Sequence, residues 1–241
     1  MFIGTHNSSS YTVNFNVKFP NTNWKWRTLR ILSVCPWGRD WIVRLTKNQK
    51  YTILEQLERG AKILDLYVAL STNGVWYCSH TFATIPLQVA LDQISVFMET
   101  MPTEPIVVLV RPDPEHTSTV VGYEDELIRM LKPIPVSWFY QPMVISLAGT
   151  GISNYQSILI DWYDTDSIVD FMDEFNKRKG TTALYGVLTP QGITSKSLKT
   201  LAKELKFVLT RALLTTPDNK IPCMLLVDYY DGEVEDSQAM N

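Results

Sequence analysis

The sequence predicts a single α/β domain in which strands and helices alternate to form a (β/α) barrel. Two observations carry this prediction. Short apolar runs alternate along the chain with amphipathic helical patterns, which is typical of a mostly parallel sheet. The chain has 241 residues, a length that is common for one barrel domain. A doubly wound open sheet is the rival fold, because it produces the same alternation.

The strand predictions rest on short apolar runs. Residues 104–111, EPIVVLVR, form a β-branched run bounded by Pro105 and Pro112, which is typical of a strand buried on both faces. Residues 2–5 at the start of the chain could form a first strand but are too few to judge alone. The other predicted strands are residues 62–70, 74–79, 142–148, 157–163, 183–189 and 222–230.

Helical periodicity lies between these runs. In residues 84–101, four apolar side chains fall on one helical face: Leu87, Leu91, Ile94 and Met98. Thr84 stands where the N-cap of this helix is expected. The other predicted helices are residues 52–59, 122–131, 165–178 and 194–214.

Residues 12–50 interrupt the alternation and are predicted to be an insertion after the first strand. Residues 12–20, TVNFNVKFP, alternate apolar and polar side chains with a period of two, which indicates a β-ribbon. Residues 24–41 then mix tryptophans with lysine and arginine. At the other end of the chain, the acidic segment 232–241 is predicted to be a flexible tail.

Charge and cysteine content exclude several classes of protein. The net charge is −3 without an excess of basic residues, so nucleic-acid binding is not expected. The three cysteines have no CxxC spacing, which argues against a disulfide scaffold or structural zinc site and favours a reducing compartment. Residues 1–20 lack the features of a secretory signal, and no apolar run approaches the roughly 20 residues that span a bilayer. We therefore expect a cytoplasmic protein that meets membranes only peripherally.

Five polar or charged side chains end predicted strands: His6, Asn7, His80, Arg111 and Asp228. Two more, Asp65 and Tyr67, lie on the predicted strand 62–70. In barrels these strand ends converge on one mouth, where catalytic groups lie. Two histidines, one acting as base and one as acid, suit phosphoryl transfer between hydroxyls, and a nearby cation can stabilise the phosphate charge. His116 lies outside this pattern and is expected on the surface.

Several of these residues also have a purely structural interpretation. A single histidine is often only a hydrogen-bonded core or surface group. Asp228 could cap the turn after its strand or orient a histidine. Arg111 could pair with a structural carboxylate or bind a phosphate through its planar guanidinium. The residues alone leave these alternatives open.

Several segments resemble the phosphatidylinositol-specific phospholipase C X-domain family. Residues 3–11, IGTHNSSSY, resemble its opening motif, Gly-Thr/Ser-His-Asp/Asn-Ser, at the end of the first strand. Residues 45–68 resemble the next segment, in which a Gln-Leu-x-x-Gly turn leads into a strand with an acidic residue. Residues 75–110 resemble the strand with the second histidine and the elements after it. The similarity is closest to the small, single-domain members and is weaker at residues 185–190 and 224–230.

The resemblance implies a distorted TIM-like barrel and an enzyme that cleaves phosphatidylinositol. In this family the inositol 2-hydroxyl attacks its own phosphodiester, which gives diacylglycerol and a cyclic inositol phosphate that can be hydrolysed further. His6 would then be the general base, His80 the general acid and Asp228 the carboxylate that orients His6. Four further residues would bind the substrate: Asn7, Asp65, Tyr67 and Arg111.

The resemblance also bears on the need for a metal. One branch of the family uses calcium, and Asn7 and Asp65 fit its ligand pattern. Tyr67 and Arg111 stand where further acidic ligands would be, and calcium prefers six to eight oxygen ligands. We therefore expect no metal or other cofactor, with Arg111 supplying the positive charge. The metal-free branch has an arginine where this chain has Tyr67, so the alternative is a catalytically impaired protein that binds phosphoinositides or a protein partner.

Residues 24–41 gain an expected role from the same resemblance. Tryptophans beside lysine and arginine suit a lipid interface, so peripheral membrane contact is predicted through Trp24, Trp26 and Trp37. The alternative is that these aromatic side chains pack against the barrel. A third and less favoured function is that of a related barrel phosphodiesterase acting on another headgroup. Those barrels use an acidic magnesium cluster, which this sequence does not display.

Overall fold

The structure is a computed structural model of the chain. It describes these residues: 2–20, 24–104, 106–113, 116, 129–130, 143–147, 161–165, 167–177, 184–188, 197–215 and 224–230.

The described residues form a mixed α/β structure built on one sheet. Its strands are β1 (Phe2–Thr5), β2 (Ile63–Leu70), β3 (Trp76–His80), β4 (Phe82–Pro86), β5 (Ile106–Pro112), β6 (Met143–Leu147), β7 (Asp161–Thr165), β8 (Leu184–Leu188) and β9 (Met224–Val227). The helices are α1 (Trp24–Leu32), α2 (Pro36–Thr46), α3 (Ile53–Glu58), α4 (Leu87–Thr100), α5 (Ile168–Lys177) and α6 (Leu198–Thr215).

Seven of the strands pair in parallel, in the order β7-β8-β9-β1-β2-β5-β6. The antiparallel hairpin of β3 and β4 extends from the end of β2. The parallel order follows the order along the chain, as in a (β/α) barrel. The described pairings do not join β6 to β7, so the sheet is not closed there. The α/β class is confirmed, whereas the closed barrel and the division of all 241 residues into one domain remain predictions.

Most predicted elements overlap observed ones, but two predictions were wrong among the described residues, and two helices lie where no helix or strand was predicted. Thr84 is not the cap of α4, because it lies inside β4 and Pro86 occupies the N-cap position. The ribbon predicted for residues 12–20 is reduced to a single bridge between Asn14 and Ala83. Residues 24–41 form most of α1 and α2. The predicted helix 122–131 lies outside the described residues except for 129–130, and the predicted tail 232–241 lies entirely outside them.

The main core lies between the sheet and the α3–α4 pair. The four apolar residues predicted to share one face of α4 are all buried there: Leu87, Leu91, Ile94 and Met98. α3 begins with a capping box in which Thr52 and Glu55 each accept a hydrogen bond from the backbone of the other. A second core cluster joins β1 to α5 and α6 through Ile3, Phe171 and Leu205. The first core therefore packs against β2 and the second against β1.

Gly4 lies where two neighbouring strands approach β1 too closely for a side chain. A Cβ at this position would overlap Ile63 Cβ, and it would lie 2.6 Å from the Ile63 carbonyl oxygen and 2.7 Å from Leu226 Cδ2. We expect Gly4→Ala to lower the free energy of unfolding by about 3 kcal/mol or more, because the backbone of β1 must move. Urea denaturation measures this loss.

Gly74 provides a matched control for that experiment. It has a φ of +76°, and a Cβ there would meet no atom within 4 Å. Gly74→Ala should therefore cost only about 1 kcal/mol, from backbone strain alone. Equal losses in the two variants would contradict the close packing at Gly4.

Candidate active site

The site begins where β1 and β9 end side by side. These strands are parallel neighbours with Thr5 opposite Val227, so the next residue of each, His6 and Asp228, comes to the same edge of the sheet. The backbone N–H of His6 continues the pairing by donating to the Val227 carbonyl at 3.0 Å. His6 Nδ1–H donates to Asp228 Oδ1 at 2.9 Å, and both residues are buried. Strand register alone therefore brings together two residues that are 222 positions apart.

Hydrogen bonds fix the tautomer of His6. The Asn48 side-chain amide donates to Asp228 Oδ1 at 2.9 Å, so that oxygen acts as an acceptor and the proton of the pair lies on His6 Nδ1. Nε2 of the neutral ring is then an acceptor, and it lies 2.9 Å from the amide nitrogen of Asn7. This arrangement gives His6 a basic Nε2, with a carboxylate behind the ring that stabilises a positive charge on it.

His80, at the end of β3, brings the second imidazole to the same place. Its ring centroid lies 6.2 Å from that of His6, with the ring planes at 72°. His80 Nδ1–H donates to the Thr46 carbonyl at 2.8 Å, which leaves Nε2 as the nitrogen for proton transfer. Burial, followed by the proximity of His6, lowers the pKa of His80 below its usual 6.5. Once protonated, this ring gives up its proton readily.

The backbone is in the left-handed region immediately after each of these three residues. Asn7, Thr81 and Tyr229 have φ values of 45°, 69° and 51°, and they are the non-glycine residues with positive φ among those described. Such a conformation costs about 1–3 kcal/mol at a residue with a side chain, and it is concentrated at functional sites. Strained positions thus directly follow His6, His80 and Asp228, the three residues expected to carry the chemistry.

Asp65, Tyr67 and Arg111 form a second group on β2 and β5. Asp65 Oδ1 accepts hydrogen bonds from Arg111 Nη2 at 2.5 Å and Nε at 3.1 Å. Tyr67 lies opposite Arg111 in the parallel register, and the guanidinium carbon lies 4.7 Å from the centre of its ring. Burial and the Asp65 carboxylate raise the pKa of Tyr67 to about 12, so it is a neutral phenol. Arg111 thus has the structural carboxylate partner that was one of its two alternatives, and an aromatic ring beside it as well.

The two groups are joined through Asn7. Its backbone N–H donates to Asp65 Oδ2 at 3.3 Å, while its side-chain amide reaches His6. Ser8 strengthens the connection, because its hydroxyl accepts from the Asp65 backbone N–H at 2.8 Å. All seven residues predicted for the site are thereby connected by described contacts, through chain adjacency, hydrogen bonds, ring contacts or the pairing of their strands.

Sequence reasoning missed Asn48 and Gln49, which precede α3. Asn48 donates to Asp228, and its carbonyl accepts from the strained Tyr229 at 2.7 Å. The side-chain amide of Gln49 donates to the carbonyls of His6, at 2.7 Å, and Val227, at 3.1 Å. These amides hold the ends of β1 and β9 together. Their only sequence signal was a position inside a segment that resembles a family motif.

The prediction for His116 was wrong. It was expected on the surface, but it is buried with 2% exposure and donates from Nε2 to the Thr81 carbonyl at 2.9 Å. Proline-rich surroundings suggested a solvent-exposed loop. The aromatic ring of Phe19, from the segment predicted as a ribbon, stacks on the imidazole and covers it.

Among the residues that the structure describes, no three His, Cys, Asp or Glu side chains are grouped so that they could hold a metal ion. Asp65, which the family resemblance suggested as a calcium ligand, is engaged by the Arg111 guanidinium. A cation added at Asp65 would therefore compete with a fixed positive charge.

The chain has the fold of the phosphatidylinositol-specific phospholipases C. Its structure matches that of a pentafluoro-Phe-containing enzyme from Staphylococcus aureus with a TM-score of 0.69 and 16% identity, over 98% of this chain and 91% of that one. It matches the enzyme from Listeria monocytogenes with a TM-score of 0.67 and 14% identity, over 98% and 90% of the two chains. The sequence matches no protein-family model and no curated protein. The resemblance in the motifs is thus confirmed at the level of the fold.

Proposed function

We propose that this protein is a phospholipase C that cleaves phosphatidylinositol to diacylglycerol and a cyclic inositol phosphate, by acid–base catalysis and without a metal. The observation that carries the proposal is the pair of imidazoles with centroids 6.2 Å apart, one of them bonded to a buried carboxylate. Two proton-transfer groups at this separation can flank one phosphorus atom, one on the attacking oxygen and one on the leaving oxygen. The fold shared with two bacterial enzymes of this specificity supports the same conclusion.

His6 acts on the attacking oxygen. The inositol 2-hydroxyl takes the place of the Asn7 amide at His6 Nε2 and gives its proton to that nitrogen as the oxygen bonds to phosphorus. The ring becomes an imidazolium, which Asp228 stabilises through the 2.9 Å hydrogen bond to Nδ1. Asn48 keeps Asp228 in place during the transfer through its own hydrogen bond to Oδ1.

His80 acts on the leaving oxygen. Its protonated Nε2 donates to the diacylglycerol oxygen as the bond between that oxygen and phosphorus breaks. The pKa of His80 lies below 6.5, so protonation of its ring requires a lower pH than that of an ordinary histidine. The acid step is therefore favoured under mildly acidic conditions. Hydrolysis of the cyclic ester uses the same pair in reverse, with His80 taking a proton from water and His6 returning one to the 2-oxygen.

Arg111 stabilises the negative charge on the phosphate. Asp65 orients its guanidinium from one side and Tyr67 covers it from another, so it is held at the mouth of the site before substrate binds. A preorganised cation of this kind replaces the charge that calcium would supply. The Asp65–Arg111 pair also favours the alternative function, a binding module with impaired catalysis, because Asp65 neutralises part of the charge available to phosphate.

A release assay distinguishes these functions. Vesicles containing phosphatidylinositol are incubated with the protein, with and without a calcium chelator, and ³¹P NMR follows the appearance of cyclic inositol phosphate. We expect release at the same rate in both samples. Release that stops with the chelator would contradict metal independence. Vesicle binding without release in either sample would contradict the enzyme and support the binding module.

The corner between α1 and α2 is the proposed membrane contact. Ile31, Val34 and Trp37 are 72%, 77% and 66% exposed, and together they are called the corner patch. Apolar side chains exposed at one corner suit insertion at headgroup depth. The side chains of Trp24 and Trp26 lie outside the described residues, so their predicted part stays a proposal. Modulation of membrane binding has been examined in the S. aureus enzyme, whose structure this chain matches with a TM-score of 0.65 and 15% identity, over 98% and 91% of the chains.

No described helix is long and apolar enough to cross a membrane. Separately, we propose that the membrane contact is peripheral and that the protein is cytoplasmic, as expected from the sequence.

Removal of the Trp37 side chain tests the corner patch. Trp37→Ala should weaken binding to phosphatidylinositol vesicles about tenfold in a sedimentation assay, because an inserted indole contributes roughly 1–2 kcal/mol. Phe207→Ala is the matched control, since Phe207 is equally exposed, at 74%, but lies on α6. If both variants bind as the wild type does, another surface meets the membrane.

A further inference from the structure

Asp113, which directly follows β5, contacts the residue before His80. The hydroxyl of Ser79 donates to Asp113 Oδ2 at 2.7 Å, and both residues are buried. The backbone N–H of Asp113 donates to the Val68 carbonyl at 2.8 Å, which continues the parallel pairing of β2 and β5. The position of this carboxylate is therefore set by the sheet.

His116 contacts the residue after His80. Its Nε2–H donates to the carbonyl of Thr81, the residue with a φ of 69°. The imidazole stacks on Phe19 with centroids 4.4 Å apart, and its Nδ1 is buried without a hydrogen-bond partner among the described residues. An orphaned buried nitrogen is unfavourable, so a plain aromatic ring would satisfy the stack better. What histidine adds at this position is the donor to Thr81.

Asp113 and His116 act as one unit, here called the clasp. The backbone N–H of His116 donates to the Asp113 carbonyl at 3.0 Å. The clasp therefore holds the chain on both sides of His80, at the Ser79 side chain and at the Thr81 backbone.

We propose that the clasp positions the His80 ring for proton transfer, and that Asp113 and His116 are positioning residues of the reaction. The inference rests on the proposed function. The His80 ring has one described hydrogen bond of its own, to the Thr46 carbonyl, and a single bond leaves the ring free to tilt about it. The hydrogen bonds to the Ser79 side chain and the Thr81 carbonyl hold the chain on both sides of His80. They thereby set the direction in which the His80 side chain leaves β3, and with it the 6.2 Å separation of its ring from that of His6.

The clasp also brings a negative charge towards His80. Burial and then His6 lower the pKa of this ring, whereas Asp228 and Asp113 oppose them. These three groups, at the ends of β1 and β9 and after β5, are the titratable groups among the described residues that act on the ring. Asp113 thereby favours the protonated state that a general acid requires.

Two substitutions of His116 separate its donor from its ring. His116→Phe keeps an aromatic ring against Phe19 and removes the donor to Thr81, whereas His116→Gln keeps an N–H donor at a similar reach. We expect His116→Phe to lower kcat about 10- to 100-fold with KM unchanged, because a misplaced acid slows chemistry and not binding. His116→Gln should recover most of the loss.

Asp113→Asn tests the charge and keeps an acceptor for Ser79. We expect the pKa of His80 to fall, and the falling limb of the pH profile of kcat to move to lower pH with it. The chain has only three histidines, so ¹⁵N-labelled imidazoles give resonances that His6→Asn, His80→Asn and His116→Phe assign. This titration needs no substrate.

The outcomes separate the clasp from the proposed function. If the wild-type protein releases no product, the proposed function is contradicted. The titration of His80, which needs no substrate, then tests by itself whether Asp113 and His116 act on His80. Unchanged His80 resonances in both His116→Phe and Asp113→Asn would overturn the clasp even in an active enzyme. The clasp would also be overturned if His116→Phe and His116→Gln lost the same amount of kcat and the same amount of thermal stability. Equal losses in the two variants would indicate that His116 has only a structural role.

Discussion

Replacement of either His6 or His80 by alanine should lower the rate of phosphatidylinositol cleavage about 10²- to 10⁴-fold, because each removes one proton transfer from the reaction. The double variant should be only slightly slower than the single ones. The two residues act in one step, on opposite oxygens of one phosphorus. Loss of either proton transfer already removes most of their joint contribution to the rate, so a second loss adds little. Release of cyclic inositol phosphate from vesicles measures all three rates.

Stability controls accompany these variants. His6→Ala leaves the buried carboxylate of Asp228 with the Asn48 amide as its described side-chain donor, so a loss of about 1–2 kcal/mol in unfolding free energy is expected. His80→Ala loses a hydrogen bond to a backbone carbonyl and should cost less. Folded variants that retain wild-type turnover would refute the assignment of the two histidines.

Removal of the Arg111 guanidinium should affect both activity and stability. Arg111→Met should slow cleavage about 10²- to 10³-fold, because the phosphate loses its preorganised cation. It should also lower the unfolding free energy by about 2–3 kcal/mol, since Asp65 is fully buried and loses its charged partner. Vesicle release and urea denaturation measure the two effects on the same protein.

The double variant Arg111→Met with Asp65→Asn separates these effects. A neutral amide at position 65 needs no counter-charge, so stability should return while cleavage remains slow. Activity that recovers together with stability would mean that Arg111 serves the fold and has no part in binding phosphate. Tyr67 is left intact in both proteins, so its ring remains beside position 111.

The sequence predicted those parts of the fold that depend on local patterns. The β-branched run 104–111 became β5 because both of its faces are covered, and the apolar face of α4 became core. Thr84 was misassigned, because its hydroxyl lies 3.0 Å from both the Ser9 hydroxyl and the Cys78 carbonyl, and these contacts and the pairing of β4 with β3 hold it in a strand. The β3–β4 hairpin turns at Thr81, a β-branched residue with positive φ, which no turn rule favours.

The residues expected at the site are those whose functional groups end a predicted strand or lie on one. His6 and Asp228 were identifiable in this way, and the strand register then joined them. Asn48 and His116 gave no such signal, because neither lies on or at the end of a predicted strand and their partners lie on other elements. Asp113 lies two residues beyond the predicted strand 104–111, and its partner Ser79 is brought near by the pairing of β3 with β2 and of β2 with β5. Local composition does not encode these long-range contacts. It also predicted the wrong environment for His116.

The residues with positive φ after the three strand ends, Asn7, Thr81 and Tyr229, restrict which substitutions can raise the thermal stability of this protein without lowering its activity. Glycine would relax the backbone at Thr81, and selection for heat resistance alone would favour it there. The same substitution would make the backbone next to His80 more flexible, so the His80 ring would be held less firmly. At position 81, the highest thermal stability and the highest catalytic rate are therefore expected to require different residues.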